Sequence, residues 1–256
     1  MDNPNPNNDL VISYLQTRKA IGWLGMLLPF LLLIGNLIIN KLNILNNSFF
    51  VLTKGLPAYV NQGSYKFSVS HYYYSTVGEL FTSVLCAVAL FMFSYKGHPL
   101  CAGEKGLSDK ATTTLAGFFA LGIVIFPTGS NIGFKDNLRT FVSTMNVGYI
   151  HFGMATLFFL SLAIMSMVNF RRTEDRISFG KKENHRLFLI CGIIMILCLV
   201  LITVYSILLQ GMFKWLDAIH PVFIFEAIAL IAFGISWLVK GQTDFKYIPR
   251  KLNLVK

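Results

Sequence analysis

Six runs of apolar residues, at about 20–40, 76–95, 111–128, 147–169, 187–209 and 220–239, constrain this chain more than any other feature. Crossing the hydrocarbon core of a bilayer takes roughly 20 mainly apolar residues in a helix. None of the six runs carries a Lys or Arg at its centre. A backbone surrounded by lipid must satisfy its own N–H and C=O groups, which makes helices of spans like these. Charged residues are 13% of the chain and hydrophobic ones 54%, against about 25% charged in a soluble domain. The sequence predicts an all-α polytopic membrane protein, a bundle of six transmembrane helices.

Basic residues set the expected orientation, since Lys and Arg concentrate on the cytoplasmic side. With both termini cytoplasmic, sixteen of the 22 Lys and Arg fall inside and six outside. The net charge of +10 then needs no nucleic-acid partner, because basic loops facing anionic lipid account for it. The start, MDNPNPNNDL, is polar with two prolines, so residues 1–19 are expected to be a disordered cytoplasmic segment. It lacks the basic region of a cleavable signal, and the first apolar run is too long for one. Residues 41–75, the longest loop, mix Phe49, Phe50, Val51 and Tyr59 with Gly55, Pro57 and Gly63. They are expected to form an ordered outside cap. Residues 129–146 are expected to hold a short interfacial helix starting near Lys135, and 240–256 a basic cytoplasmic tail. Of the four cysteines, none falls in an outside loop, so no structural disulfide is expected.

An ionisable residue inside a span costs several kcal/mol unless it finds a partner or water, and so marks a candidate site. Glu79, His151 and Glu226 sit inside the second, fourth and sixth runs. All three runs enter from the same side, and at 1.5 Å per residue the three side chains fall ~4–9 Å below the outer boundary. One layer of carboxylate, imidazole and carboxylate is therefore expected. As catalytic groups they would do acid–base chemistry, with burial and an opposing cation tuning each carboxyl. As metal ligands they would suit a zinc or iron ion. As a buried network they would only fix helix packing.

Other polar residues cluster near that level. Asn36 ends the first run, Tyr205 the fifth, and His220 opens the sixth. If the second helix starts near Ser70, then His71, Ser75 and Glu79 share one face, with His71 about 12 Å from Glu79. Tyr72 and Tyr74 belong to a run of three tyrosines that reads either as interfacial anchors or as a rim for a headgroup or cation. His71, Tyr72, Tyr74, Ser75, Asn36, Tyr205 and His220 are thus candidate ligand-binding residues. The inner half offers mainly hydroxyls, such as Thr112, Thr113, Ser161 and Ser236. A conduction path needs polar lining across the whole span, so a pocket open to the outer face is favoured over a pore.

No nucleotide, zinc-protease or serine-hydrolase motif occurs. HYYYSTVGELF, FMFSYKGH, LAGFFALGIVIFPT, HFGMATLFF and FGISWLVKG together resemble bacterial multi-pass membrane proteins grouped as a domain of unknown function. The resemblance runs from Ser70 to Gly241 and implies six helices without an assigned activity. A more distant similarity is to the alkaline-ceramidase-like membrane hydrolases, which use a Ser, an Asp and three His around zinc. This sequence departs from them in having six runs rather than seven, two Glu in place of Asp, and only His151 well inside a span. The resulting expectation is a protein of the bacterial cytoplasmic membrane that binds a lipid or small amphiphile near Glu79, His151 and Glu226. The alternatives are an intramembrane metal- or acid/base-dependent lipid hydrolase, and a non-catalytic subunit working with partner membrane subunits or as a homo-oligomer.

Overall fold

A computed structural model describes residues 6–41, 65–129, 147–172 and 183–251. The first five residues, most of the expected outside cap, the expected helix near Lys135 and the end of the basic tail lie outside the described residues. What is described is helical, with no strand among the described residues. The helices are α1 (Pro6–Lys41), α2 (Gly78–Ser94), α3 (Asp109–Ile125), α4 (Val147–Ile164), α5 (Glu183–Val204), a short α6 (Lys214–Ala218) and α7 (Pro221–Lys251). A 3-10 turn, Ser70–Tyr74, precedes α2, while π-helical turns extend α4 over Met165–Phe170 and α5 over Tyr205–Leu209.

Two boundaries correct the sequence reading. The helix that holds the first apolar run begins at Pro6, within the segment expected to be disordered. Proline suits a first helical position, where its missing N–H would have had no partner, and Leu10, Val11 and Ile12 continue the apolar pattern. The last helix runs to Lys251, through much of the expected tail and past Gly241 and Pro249.

Among the described residues four helical stretches are long and apolar enough to cross a membrane: Leu15–Ile39, Val147–Phe170, Asn184–Leu209 and Pro221–Gly241. Gly78–Ser94 is a shorter apolar helix. α5 turns Ile190, Ile193, Leu197 and Val200 outward, each about half exposed, as a lipid-facing surface requires. The helices form a closed ring in chain order: α2 packs on α1 and α3, α4 on α3 and α5, and α7 on α5 and α1. The interior is filled by Leu28 and Leu32 of α1, Phe81 and Leu85 of α2, Ala120 of α3, Leu162 of α4, Met195 of α5 and Phe233 of α7.

Glycines let the ring close. A Cβ on Gly234 of α7 would lie 2.6 Å from the carbonyl oxygen of Gly22 of α1, and one on Gly22 would lie 2.9 Å from that of Gly234. Between apolar helices in lipid, such small-residue contacts are what allow the backbones to approach.

One end of the ring is packed solid. Trp237 is edge-on to Tyr95 and Phe170 at 5.2 and 5.3 Å. The buried Arg18 guanidinium lies 5.2 Å from the Tyr95 ring centre, and Lys240 donates to the Phe170 carbonyl at 3.5 Å. Asp109 accepts from Asn169 Nδ2 and from the backbone N–H of His98, both at 3.0 Å, and Ser108 caps α3 by accepting from the Ala111 N–H at 3.1 Å.

Gly234→Val is expected to destabilise the detergent-solubilised protein by about 1–3 kcal/mol, the usual cost of overpacking a tight contact. Gly153→Ala, where an added Cβ meets nothing within 4 Å, should leave the melting temperature nearly unchanged; a thermal melt of both variants checks this.

Candidate functional site

The other end of the ring is closed by the short segment from Tyr65 to Tyr74, and its backbone bonds follow from what helix ends leave unsatisfied. The first turn of any helix has N–H groups with no intrahelical acceptor. In α7 the Phe223 N–H finds one in the Phe67 carbonyl, at 3.2 Å. Two residues on, the Val69 N–H donates to Glu226 Oε2 at 2.6 Å. Residues 67–69 are thus tied along the start of α7. Ser68 then begins the 3-10 turn, its carbonyl accepting from the His71 N–H at 3.2 Å.

The end of α3 is completed in a matching way. Pro127 stops the helix, and the carbonyls beyond it need donors from elsewhere. His151 Nδ1 lies 2.7 Å from the Phe126 carbonyl, and the Tyr74 hydroxyl donates to the Thr128 carbonyl at 2.7 Å. A carbonyl oxygen only accepts, so His151 carries its proton on Nδ1 and its Nε2 is the lone-pair nitrogen.

These elements surround a cavity of about 170 Å³ whose lining includes His71, His151 and Glu226, with Ser68, Ser70, Thr156 and Ser206 among its hydroxyls. Ala155, Phe159 and Leu199 supply apolar wall. A smaller space of about 30 Å³ adjoins it, sharing Ser70, Ala155, Phe159 and Glu226 and reaching Leu28 and Leu230. Glu226 stands between the two, so its remaining accessible surface is cavity wall. Ser68 Oγ lies 2.7 Å from His71 Nδ1 and also accepts from the His71 N–H at 3.2 Å. A hydroxyl can donate or accept, so this contact suits either neutral tautomer of the His71 ring. Burial, then the neighbouring His151, then Lys66 lower the His71 pKa to about 4. At neutral pH this imidazole is uncharged.

The expected layer of Glu79, His151 and Glu226 is assembled only in part. His151 and Glu226 line the cavity, but Glu79 is exposed and lines neither space. The physical reason is the break between the 3-10 turn and α2. Ser75 is buried, its hydroxyl donating to the Tyr72 carbonyl at 2.7 Å and accepting from the Val77 N–H at 3.3 Å. α2 starts only at Gly78, which places Glu79 in its first turn, where a carboxylate favours the positive end of the helix dipole. The same break brings His71 into the cavity, on an element distinct from that of Glu79. Among the described residues no three His, Cys, Asp or Glu side chains are placed to hold a metal ion. The expected ligand set of Glu79, His151 and Glu226 for zinc or iron therefore does not fit this geometry.

The other candidate ligand-binding residues have structural partners. Tyr72 is buried with its ring 5.9 Å from that of Phe223. Asn36 Oδ1 accepts from the Thr76 hydroxyl at 3.0 Å. The Tyr205 hydroxyl donates to Asp217 Oδ1 at 2.5 Å, holding α6 to the end of α5. His220 adopts a positive φ of 50° before α7 and meets Tyr65 edge-on at 5.0 Å. None of these five, Ser75 included, lines the cavity. Ser68, Ser70 and Thr156, which do, carry no sequence signal beyond being hydroxyls. No known family, no curated protein and no solved structure matches this chain.

The low His71 pKa makes stability depend on pH in a defined direction. Its folded value of about 4 lies below the ordinary 6.5, so between those values the unfolded chain binds the extra proton and stability falls as pH drops. Below about pH 4 the loss is complete, at most on the order of 3 kcal/mol. His71→Gln should flatten the decline in melting temperature between pH 6.5 and 4, measured in one detergent across a buffer series.

Proposed function

We propose that this protein binds a lipid or small amphiphile in the cavity bounded by His71, His151 and Glu226, in a binding or accessory role. The observation that carries this reading is a space of about 170 Å³ with polar groups converging from the 65–74 segment, α4 and α7 and an apolar remainder. Ligand sites commonly combine an apolar wall with a few placed polar groups. Phe152, on the lining, is also 41% exposed, offering an apolar rim for a chain that stays in the bilayer.

The setting we infer is a bacterial cytoplasmic membrane crossed six times, with both termini cytoplasmic and the cavity opening outward. The charge bias of the loops supports the orientation. α2 and α3, each of 17 residues, would cross with about 25 Å of helix, locally short of a core of roughly 30 Å. Binding is preferred to a metal-dependent hydrolase because the described residues do not assemble three metal ligands.

Ala155 lines both spaces, so Ala155→Phe fills them without removing a polar group. Mass spectrometry of lipid extracted from the purified protein should show retained lipid falling about tenfold in this variant, a loss of ~1.4 kcal/mol. Equal lipid content in a variant that melts like the wild type would overturn the reading.

A further inference from the structure

We infer that the head accepted by this cavity is an uncharged, hydroxyl-bearing group of glyceryl size, and that a phosphate-bearing head is rejected. The inference rests on the cavity being a lipid site, as proposed above, and specifies the chemistry of what enters it.

The polar atoms with fixed roles carry the argument. Hydroxyls of Ser and Thr rotate to donate or accept, so they discriminate little. His151 is held with Nδ1 donating to the Phe126 carbonyl at 2.7 Å, which leaves Nε2 able only to accept while the ring is neutral. Glu226 uses Oε2 to accept from Val69 at 2.6 Å, which leaves Oε1 to donate as a carboxylic acid or accept as a carboxylate. A hydroxyl-bearing head donates to His151 Nε2 and can donate to or accept from Glu226 Oε1 and His71 Nε2, whichever way each is protonated. A phosphate offers chiefly acceptor oxygens, which oppose the His151 lone pair, and a negative charge that is costly in a poorly solvated space without a cation. Arg and Lys are the usual partners of phosphate, and among the described residues neither lines the cavity.

Size points the same way. A cavity of about 150 Å³ in another protein takes up benzene, a molecule of about six heavy atoms. The 170 Å³ here suits a glyceryl head of about that size, with its acyl chain leaving past Phe152.

The test uses the full-length protein in detergent and two probes of the same chain length, 1-monooleoylglycerol and 1-oleoyl lysophosphatidic acid, which differ by one phosphate. Native mass spectrometry of competition mixtures reads bound fractions directly. Monooleoylglycerol is expected to be favoured about tenfold or more. In Glu226→Gln the amide oxygen still accepts from Val69 and the side chain carries no charge, so a preference set by the missing cation should persist, and its reversal would overturn the assignment. Should that variant melt early, the wild-type ratio decides by itself. Equal binding of the probes, or preference for the phosphate, with both lost in Ala155→Phe, overturns the head-group assignment and leaves the lipid site standing. Failure of both probes to bind, or binding indifferent to Ala155→Phe, overturns both.

Discussion

The contact between Gly22 of α1 and Gly234 of α7 closes the ring, and the interior depends on it. Sequential neighbours along a chain pack with little help from long-range specificity, but the first and last helices must find each other across the whole sequence. In lipid the apolar side chains gain little by leaving one apolar surface for another. Close backbone approach, with the dispersion contacts it permits, takes over that role. Once α7 is seated against α1, Phe233 and Trp237 point inward and the ring has an inside.

That inside is finished differently at its two ends. Glu226 and Lys240 lie on the same helix fourteen residues apart, about 21 Å along its axis. Around Lys240 the space is taken by Trp237, Phe170, Phe188 and Tyr95, with the cations of Arg18 and Lys240 against aromatic faces. Around Glu226 the closure is a backbone segment pinned by two hydrogen bonds, and a single-file segment covers a ring of helices less completely than bulky aromatics fill one. The cavity is what the lighter closure leaves.

The legible part of this architecture was the part that periodicity and transfer energetics govern. The apolar runs marked every long helix, and depth alone put His151 and Glu226 in one layer, since rise per residue is fixed once entry points are known. Glu79 escaped that reasoning because its outward direction depends on a turn ending near Ser75, a rotational detail that depth does not carry. The same turn hides the closeness of His71: a continuous helix from Ser70 sets this ligand-binding candidate about 12 Å from Glu79 and apart from the other groups. The Asp109–Asn169 and Arg18–Tyr95 contacts join residues far apart in sequence, and nothing local to Asn169 or Arg18 announces a buried role. A basic residue near a span end looks the same whether it meets lipid headgroups or an aromatic ring.

The unequal finish of the two ends makes the molecule mechanically lopsided. Close-packed protein interiors resist compression, and the volume change under hydrostatic pressure scales with internal void. The two spaces beside Glu226 lie within that half, which makes it the more compliant one. Squeezing the bilayer laterally would therefore strain the 65–74 segment and the mouths of α4 and α7 first, while the Trp237 half behaves as a stiff base. A cup with a rigid floor and a yielding rim responds to membrane tension by changing the shape of its opening and keeping its helices in register.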